Sequence, residues 1–121
     1  MWIRLFLLGG AAATLAGCVA APLATVTADG EADATVVATD MRFTPDVLEV
    51  VAGEPTVLRF ENAGGSVHDL VLDNGWDSGE VKPGQTVDVV MDPLAYPTVA
   101  WCSVPGHRAA GMELEVRVVD G

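Results

Sequence analysis

The sequence predicts an all-β sandwich of about seven to eight strands. Three observations carry that expectation. Segments after residue 33 are short and rich in Val, they are separated by Gly, Pro, Asn and Asp, and no amphipathic helical run of useful length occurs. In chain order the expected strands are Ala34–Thr39, Val47–Val51, Thr56–Asn62, Val67–Leu72, Thr86–Asp92, Thr98–Cys102 and Met112–Val119. Ala52-Gly53-Glu54-Pro55 divides the second from the third, and Ala63-Gly64-Gly65 divides the third from the fourth, because Gly and Pro supply turn dihedrals. Asn74-Gly75 follows the fourth strand, and Lys82-Pro83-Gly84 precedes the fifth. Asp73 to Val81 is the least regular stretch and is expected to hold a short turn or helix.

Alternate side chains of a strand share a face, so the pattern also orients the strands. Val87, Val89 and Met91 lie on one face, with Thr86, Asp88 and Asp92 opposite. His68, Leu70 and Leu72 point one way. In the last strand Met112, Leu114, Val116 and Val118 oppose Glu113, Glu115 and Arg117. His68 and Met112 therefore each begin an inward row, where a core meets one end of the sandwich.

Residues 1–17 stand apart from this domain. Arg4 precedes an uncharged apolar run from Leu5 to Ala16, which has the length of a secretory h-region and is too short to span a bilayer. The run ends in Leu15-Ala16-Gly17-Cys18, which resembles the lipobox of bacterial lipoproteins. That resemblance implies cleavage before Cys18 and a lipid on its sulfur; an ordinary signal peptide that includes a cysteine is the alternative. Residues 18–33 then read as a lipidated cysteine and a tether, small and polar, with a coil reach on the order of 20 Å. Residues 34–121 form the folded domain.

Without residues 1–17 the chain keeps all seventeen acidic residues and loses one of six basic ones, so its formal charge is −12. A phosphate backbone would repel it, which argues against nucleic acid as a partner. Anionic lipid would not attract it either, so a covalent anchor has to hold it at a membrane. Two cysteines in an exported chain allow a Cys18–Cys102 disulfide. If Cys18 carries lipid, Cys102 is a lone thiol outside the cytoplasm and needs an occupant.

The stretch WCSVPGHRAAGM, residues 101–112, supplies one. Cys102, His107 and Met112 are evenly spaced in it, and His68 is the only other histidine. Two imidazoles and a thiolate make a trigonal set of soft and borderline donors, and a thioether adds a weak axial contact. This is the ligand list of a blue-copper electron-transfer site, and zinc would more often recruit further cysteines or a carboxylate. Each donor alone has a plainer reading, with His68 as a satisfied polar residue, Met112 as core filler and Cys102 as a small buried hydrophobe. Their order and spacing together favour a metal.

The domain resembles the cupredoxins, the family of plastocyanins, azurins and rusticyanin. The resemblance rests on the C-x4-H-x4-M loop and on RFTPDVLEVVAGEPTVLRFENAGGSVHDLVL upstream, and it covers about residues 34 to 119. It implies a Greek-key β-sandwich with His68, Cys102, His107 and Met112 holding one copper ion, His107 being nearest the surface. Many members carry Asn after the first histidine, where this chain has Asp69. In the family that side chain ties the two ligand loops together, and Asp69 is expected to accept a hydrogen bond from Ser103.

The function expected is one-electron transfer between membrane-associated redox partners, a cytochrome or oxidase-type donor and acceptor. A monomer is expected, lipid-anchored through Cys18 on the extracytoplasmic or periplasmic face. The alternative is a copper protein that stores the metal or delivers it to an oxidase, and a third reading is a metal-free structural lipoprotein. An enzyme is not expected: four protein donors leave copper no open position for substrate, and nucleophile-elbow and P-loop patterns are missing.

Overall fold

The computed structural model describes residues 30–121. The proposed cleavage point and Cys18 lie outside the described residues. Eight strands form two sheets, and no helix occurs among the described residues: β1 (Ala34–Thr39), β2 (Arg42–Thr44), β3 (Val47–Val51), β4 (Thr56–Asn62), β5 (Val71–Leu72), β6 (Thr86–Met91), β7 (Thr98–Trp101) and β8 (Glu113–Val119). One sheet runs β2-β1-β4-β6 and the other β3-β8-β7-β5. β1 pairs parallel with β4, and β3 pairs parallel with β8; the other pairs are antiparallel. From β2 to β7 each connection carries the chain to the opposite sheet, so the sandwich is closed by loops at both ends.

The inward rows follow the alternation in sequence. Thr56, Leu58, Phe60 and Asn62 of β4 are buried, as are Leu114 and Val116 of β8. Phe43 and Phe60 meet at a centroid distance of 6.1 Å in a tilted pair. Asp88, on the outer face of β6, is also buried, and Arg59 of β4 explains it: Nε and Nη2 donate to Oδ1 and Oδ2 at 2.9 and 3.0 Å. The residues just before β1 are tied down as well. Arg59 Nη2 donates to the Gly30 carbonyl, and Asp33 and Val57 exchange hydrogen bonds.

Two strand expectations need correction. The strand expected over Val67–Leu72 survives only as Val71–Leu72. His68 makes an isolated bridge to Val81, and the Leu70 N–H turns to the Ser78 hydroxyl, so a side chain interrupts the ladder. β2 was not expected at all: three residues are too few to show alternation, and its turn from β1 uses Met41 at φ 64° in place of glycine. Asp73 to Val81 carries turns and two isolated bridges.

Candidate metal centre

β7 ends one residue before Cys102, and β8 begins one residue after Met112. The Cys102 N–H donates to the Met112 carbonyl at 3.1 Å, so these two residues face each other at the base of a loop. Inside the loop the bonds are backbone to backbone. His107 N–H reaches the Val104 carbonyl, Ala110 N–H reaches Gly106 and His107, and Met112 N–H reaches His107, all between 3.0 and 3.2 Å. Gly106 and Gly111 take φ values of 83° and 108°, which a residue with a Cβ adopts only under strain. The compact turn folds His107 back over the cysteine.

His68 arrives from the other sheet connection by different means. Asn62, at the buried end of the β4 row, donates from Nδ2 to the Ser66 and Val81 carbonyls at 2.8 Å, and its Oδ1 accepts from the Gly64 N–H at 2.9 Å. One side chain thus cross-braces the 62–66 turn. His68 and Val81 then exchange backbone hydrogen bonds, which fixes the backbone of the histidine.

The three expected donors converge. Cys102 Sγ lies 3.5 Å from His107 Nδ1 and 3.9 Å from His68 Nδ1, and the two Nδ1 atoms are 3.2 Å apart. A point equidistant from all three is about 2.1 Å from each, within the roughly 2.0–2.3 Å of metal–imidazole and metal–thiolate bonds. His68 and Cys102 are wholly buried, and His107 is 8% exposed, so His107 is the donor nearest solvent. Met112 is wholly buried, and its carbonyl accepts from the Cys102 N–H. Cys102 is a free cysteine. Among the described residues this is the single cluster of metal-ligating side chains of its kind. The donor set fits one copper ion.

Burial pushes the Cys102 thiol up, while the backbone N–H groups of Asp69 and Val104 pull it down. Burial also holds His68 below the usual imidazole value, and the neighbouring His107 acts in the same direction. Both groups are therefore neutral at pH 7 without metal. Asp69 is buried and ties the two ligand segments: Ser103 N–H donates to its Oδ1 at 2.6 Å, and the Ser103 hydroxyl donates to its Oδ2. Around His107 the surface is small and apolar, with Pro105, Gly106, Ala109, Ala110 and Gly111 exposed. The one charge there is held in place. Arg108 stacks 4.1 Å over the Trp101 ring and donates to Glu113 at 2.9 Å.

Sequence reasoning missed the brace that Asn62 supplies. Asn62 had a readable signal, an Asn directly before Ala-Gly-Gly, where its side chain can bond the turn backbone.

The chain matches the cupredoxin-like domain family over residues 5–98, a match that ends before Cys102. No curated protein matches it. Among solved structures it is similar to the dithionite-reduced auracyanin from the photosynthetic bacterium Roseiflexus castenholzii. The two are 15% identical over 71% of this chain and 95% of that one, with a TM-score of 0.66. Auracyanin A, a "blue" copper protein from Chloroflexus aurantiacus, is 18% identical over 70% of this chain and 96% of its own, with a TM-score of 0.61. A copper-containing nitrite reductase from Thermus scotoductus is 20% identical over 73% of this chain but 22% of its own, with a TM-score of 0.56. At these identities the likeness is one of fold.

Proposed function

The chain belongs to the cupredoxin-like domain family, and on that premise we propose that it is a one-electron carrier built on one copper ion held by His68, Cys102, His107 and Met112. The observation that carries the proposal is the buried triangle of Sγ and two Nδ1 atoms. Copper bound there supplies a reversible one-electron couple. The residues supply a frame that has little room to rearrange. Cys102 and Met112 are clamped at the loop base, His107 is held by the loop turns, and His68 is held by Val81 and the Asn62 brace. A donor set suited to both oxidation states then needs no large change on electron transfer. Asp69 and Ser103 keep the Cys102 and His68 segments in register.

His107 offers the shortest path to solvent, and the small residues around it let a redox partner approach closely. Encounters of this kind use little area. The pairing of Arg108 with Glu113 leaves apolar contact as the main term at that surface. The anchored, extracytoplasmic setting rests on the lipobox-like Leu15-Ala16-Gly17-Cys18. It accords with the direction of β1, whose six residues run about 20 Å toward Asp40, beside His68, so the chain joins the domain at the far end from the donors.

The test is a Cu(II) titration followed by visible absorption, on wild type and Cys102→Ser. A strong thiolate-to-copper band in wild type, bleached reversibly by a mild reductant and lost in the variant, is the expected result. Copper that binds and is then surrendered to a chelating acceptor on reduction would favour delivery over electron transfer, and absence of the band would overturn both. The same preparation, made as the full chain in a bacterium, should partition into a detergent phase; partition into water would remove the anchor.

A further inference from the structure

One polar atom of the site is unexplained by its neighbours. His68 is wholly buried, its Nδ1 faces the other donors, and its Nε2 has no hydrogen-bond partner among the described residues. A neutral imidazole that offers Nδ1 to a metal must carry its proton on Nε2, because one ring nitrogen donates while the other accepts. That N–H is thus a buried donor, and burial without an acceptor is costly.

The nearest charged group is the Asp40 carboxylate, with Oδ1 3.9 Å from Nε2. This is too long for a hydrogen bond. Three local features nevertheless aim the carboxylate there. Met41 takes a left-handed φ of 64°, a conformation that bulky residues adopt at a cost, and so turns the β1–β2 connection tightly after Asp40. The Gly65 N–H donates to Asp40 Oδ1 at 3.0 Å and holds the carboxylate over the 64–65 backbone. Gly64 keeps the space open: a Cβ there would stand 2.8 Å from Asp40 Oδ1 and 2.9 Å from His68 Nε2. Asp40 is otherwise solvated, its side chain 68% exposed, so Oδ1 can turn toward the ring while Oδ2 stays in water.

We propose that Asp40 is a positioning residue of the copper centre, its carboxylate accepting the Nε2 hydrogen of His68 when Nδ1 binds the metal. The inference rests on the copper-centre reading above. Metal on Nδ1 draws electron density from the ring and makes Nε2–H a stronger donor, and a carboxylate is the strongest acceptor within reach. The contact closes by less than the reach of a side-chain rotation. Once closed, it fixes the tautomer and orientation of the one donor that the Cys102–Met112 loop does not hold.

The experiment compares wild type, Asp40→Ala and Asp40→Asn. Proton NMR of the Cu(I)-loaded proteins follows the His68 Nε2–H, and competition with a chelator gives Cu(II) affinity. Wild type should show this proton shifted downfield and slow to exchange. Asp40→Ala should exchange it at least about tenfold faster and bind Cu(II) about 10–100-fold more weakly. Asp40→Asn, whose amide oxygen still accepts, should restore most of both. Wild-type protection and affinity within twofold in Asp40→Ala would overturn the proposal, as would an Asn variant as weak as Ala. Wild type that binds no copper would instead overturn the copper reading, and this proposal with it.

Discussion

The two segments that bring donors to the centre are built on different principles. The loop from Cys102 to Met112 holds its shape by short-range backbone bonds and two glycines of positive φ. The segment around His68 is held by side chains from elsewhere in the chain: Asn62, Ser78, and the Asp69–Ser103 link across 34 residues. A loop of the first kind spreads its stability over many small terms. A segment of the second kind concentrates it in a few groups, so single substitutions should weigh far more there.

The sharpest way to break that contrast is Asn62→Ala. The substitution removes three hydrogen bonds: the Ser66 carbonyl and the Gly64 N–H lose their Asn62 partner in a half-buried setting, and the buried Val81 carbonyl keeps only the His68 N–H. A loss of about 3 kcal/mol is expected by denaturant unfolding of the metal-free protein, since each stranded buried group costs about 1–3 kcal/mol. Copper affinity should fall with it, because His68 loses its brace. A loss below about 1 kcal/mol would mean that the backbone pairing of His68 with Val81 suffices.

The same contrast explains what was legible in the sequence. Cys102, His107 and Met112 could be read together because they are close in the chain and their local turns carry Gly and Pro. Placement of His68 followed from an inward row and the donor count, and the structure brings it to the same point. What held it there could not be read. Ser78 replaces a ladder bond, and Asp40 stands 3.9 Å from the ring nitrogen after a methionine turn, so both lie across distances that no local pattern records. Strand boundaries show the same division: β1, β3 and β4 match their expected limits, while the strand at His68 shrinks to two residues.

A smaller effect is expected in the loop. Gly106 sits at φ 83° with open space around the Cβ position, so Gly106→Ala adds backbone strain and no collision. The cost should be about 1 kcal/mol, with the visible spectrum of the copper-loaded protein unchanged. A cost comparable to that of Asn62→Ala, or an altered spectrum, would show that the loop too depends on a single residue.

The most gradual effect concerns pH, and it joins the two segments. Burial, then the charge of His107, keeps His68 below its ordinary value of 6.5 in the folded metal-free protein. Above that pH neither the folded nor the unfolded chain holds a proton there. Below it the unfolded chain takes up a proton that the folded chain refuses, so stability falls toward acid, by at most about 1.4 kcal/mol per pH unit. Cys102 works at the other end. Burial raises its thiol above the ordinary 9.0, so beyond that pH the unfolded chain releases a proton that the folded chain keeps. Stability therefore falls toward alkali as well. Asp88, held low first by its hydrogen bond from Arg59, adds a loss only in the carboxylate range, well below the histidine window. Unfolding of the metal-free protein between pH 5 and 10 should show a plateau from roughly 6.5 to 9 with a decline on each side. Copper should abolish the alkaline decline, because the metal-bound state already holds Cys102 as thiolate. A flat profile without metal would mean that water reaches the donors, and that the burial on which the frame depends is not kept in solution.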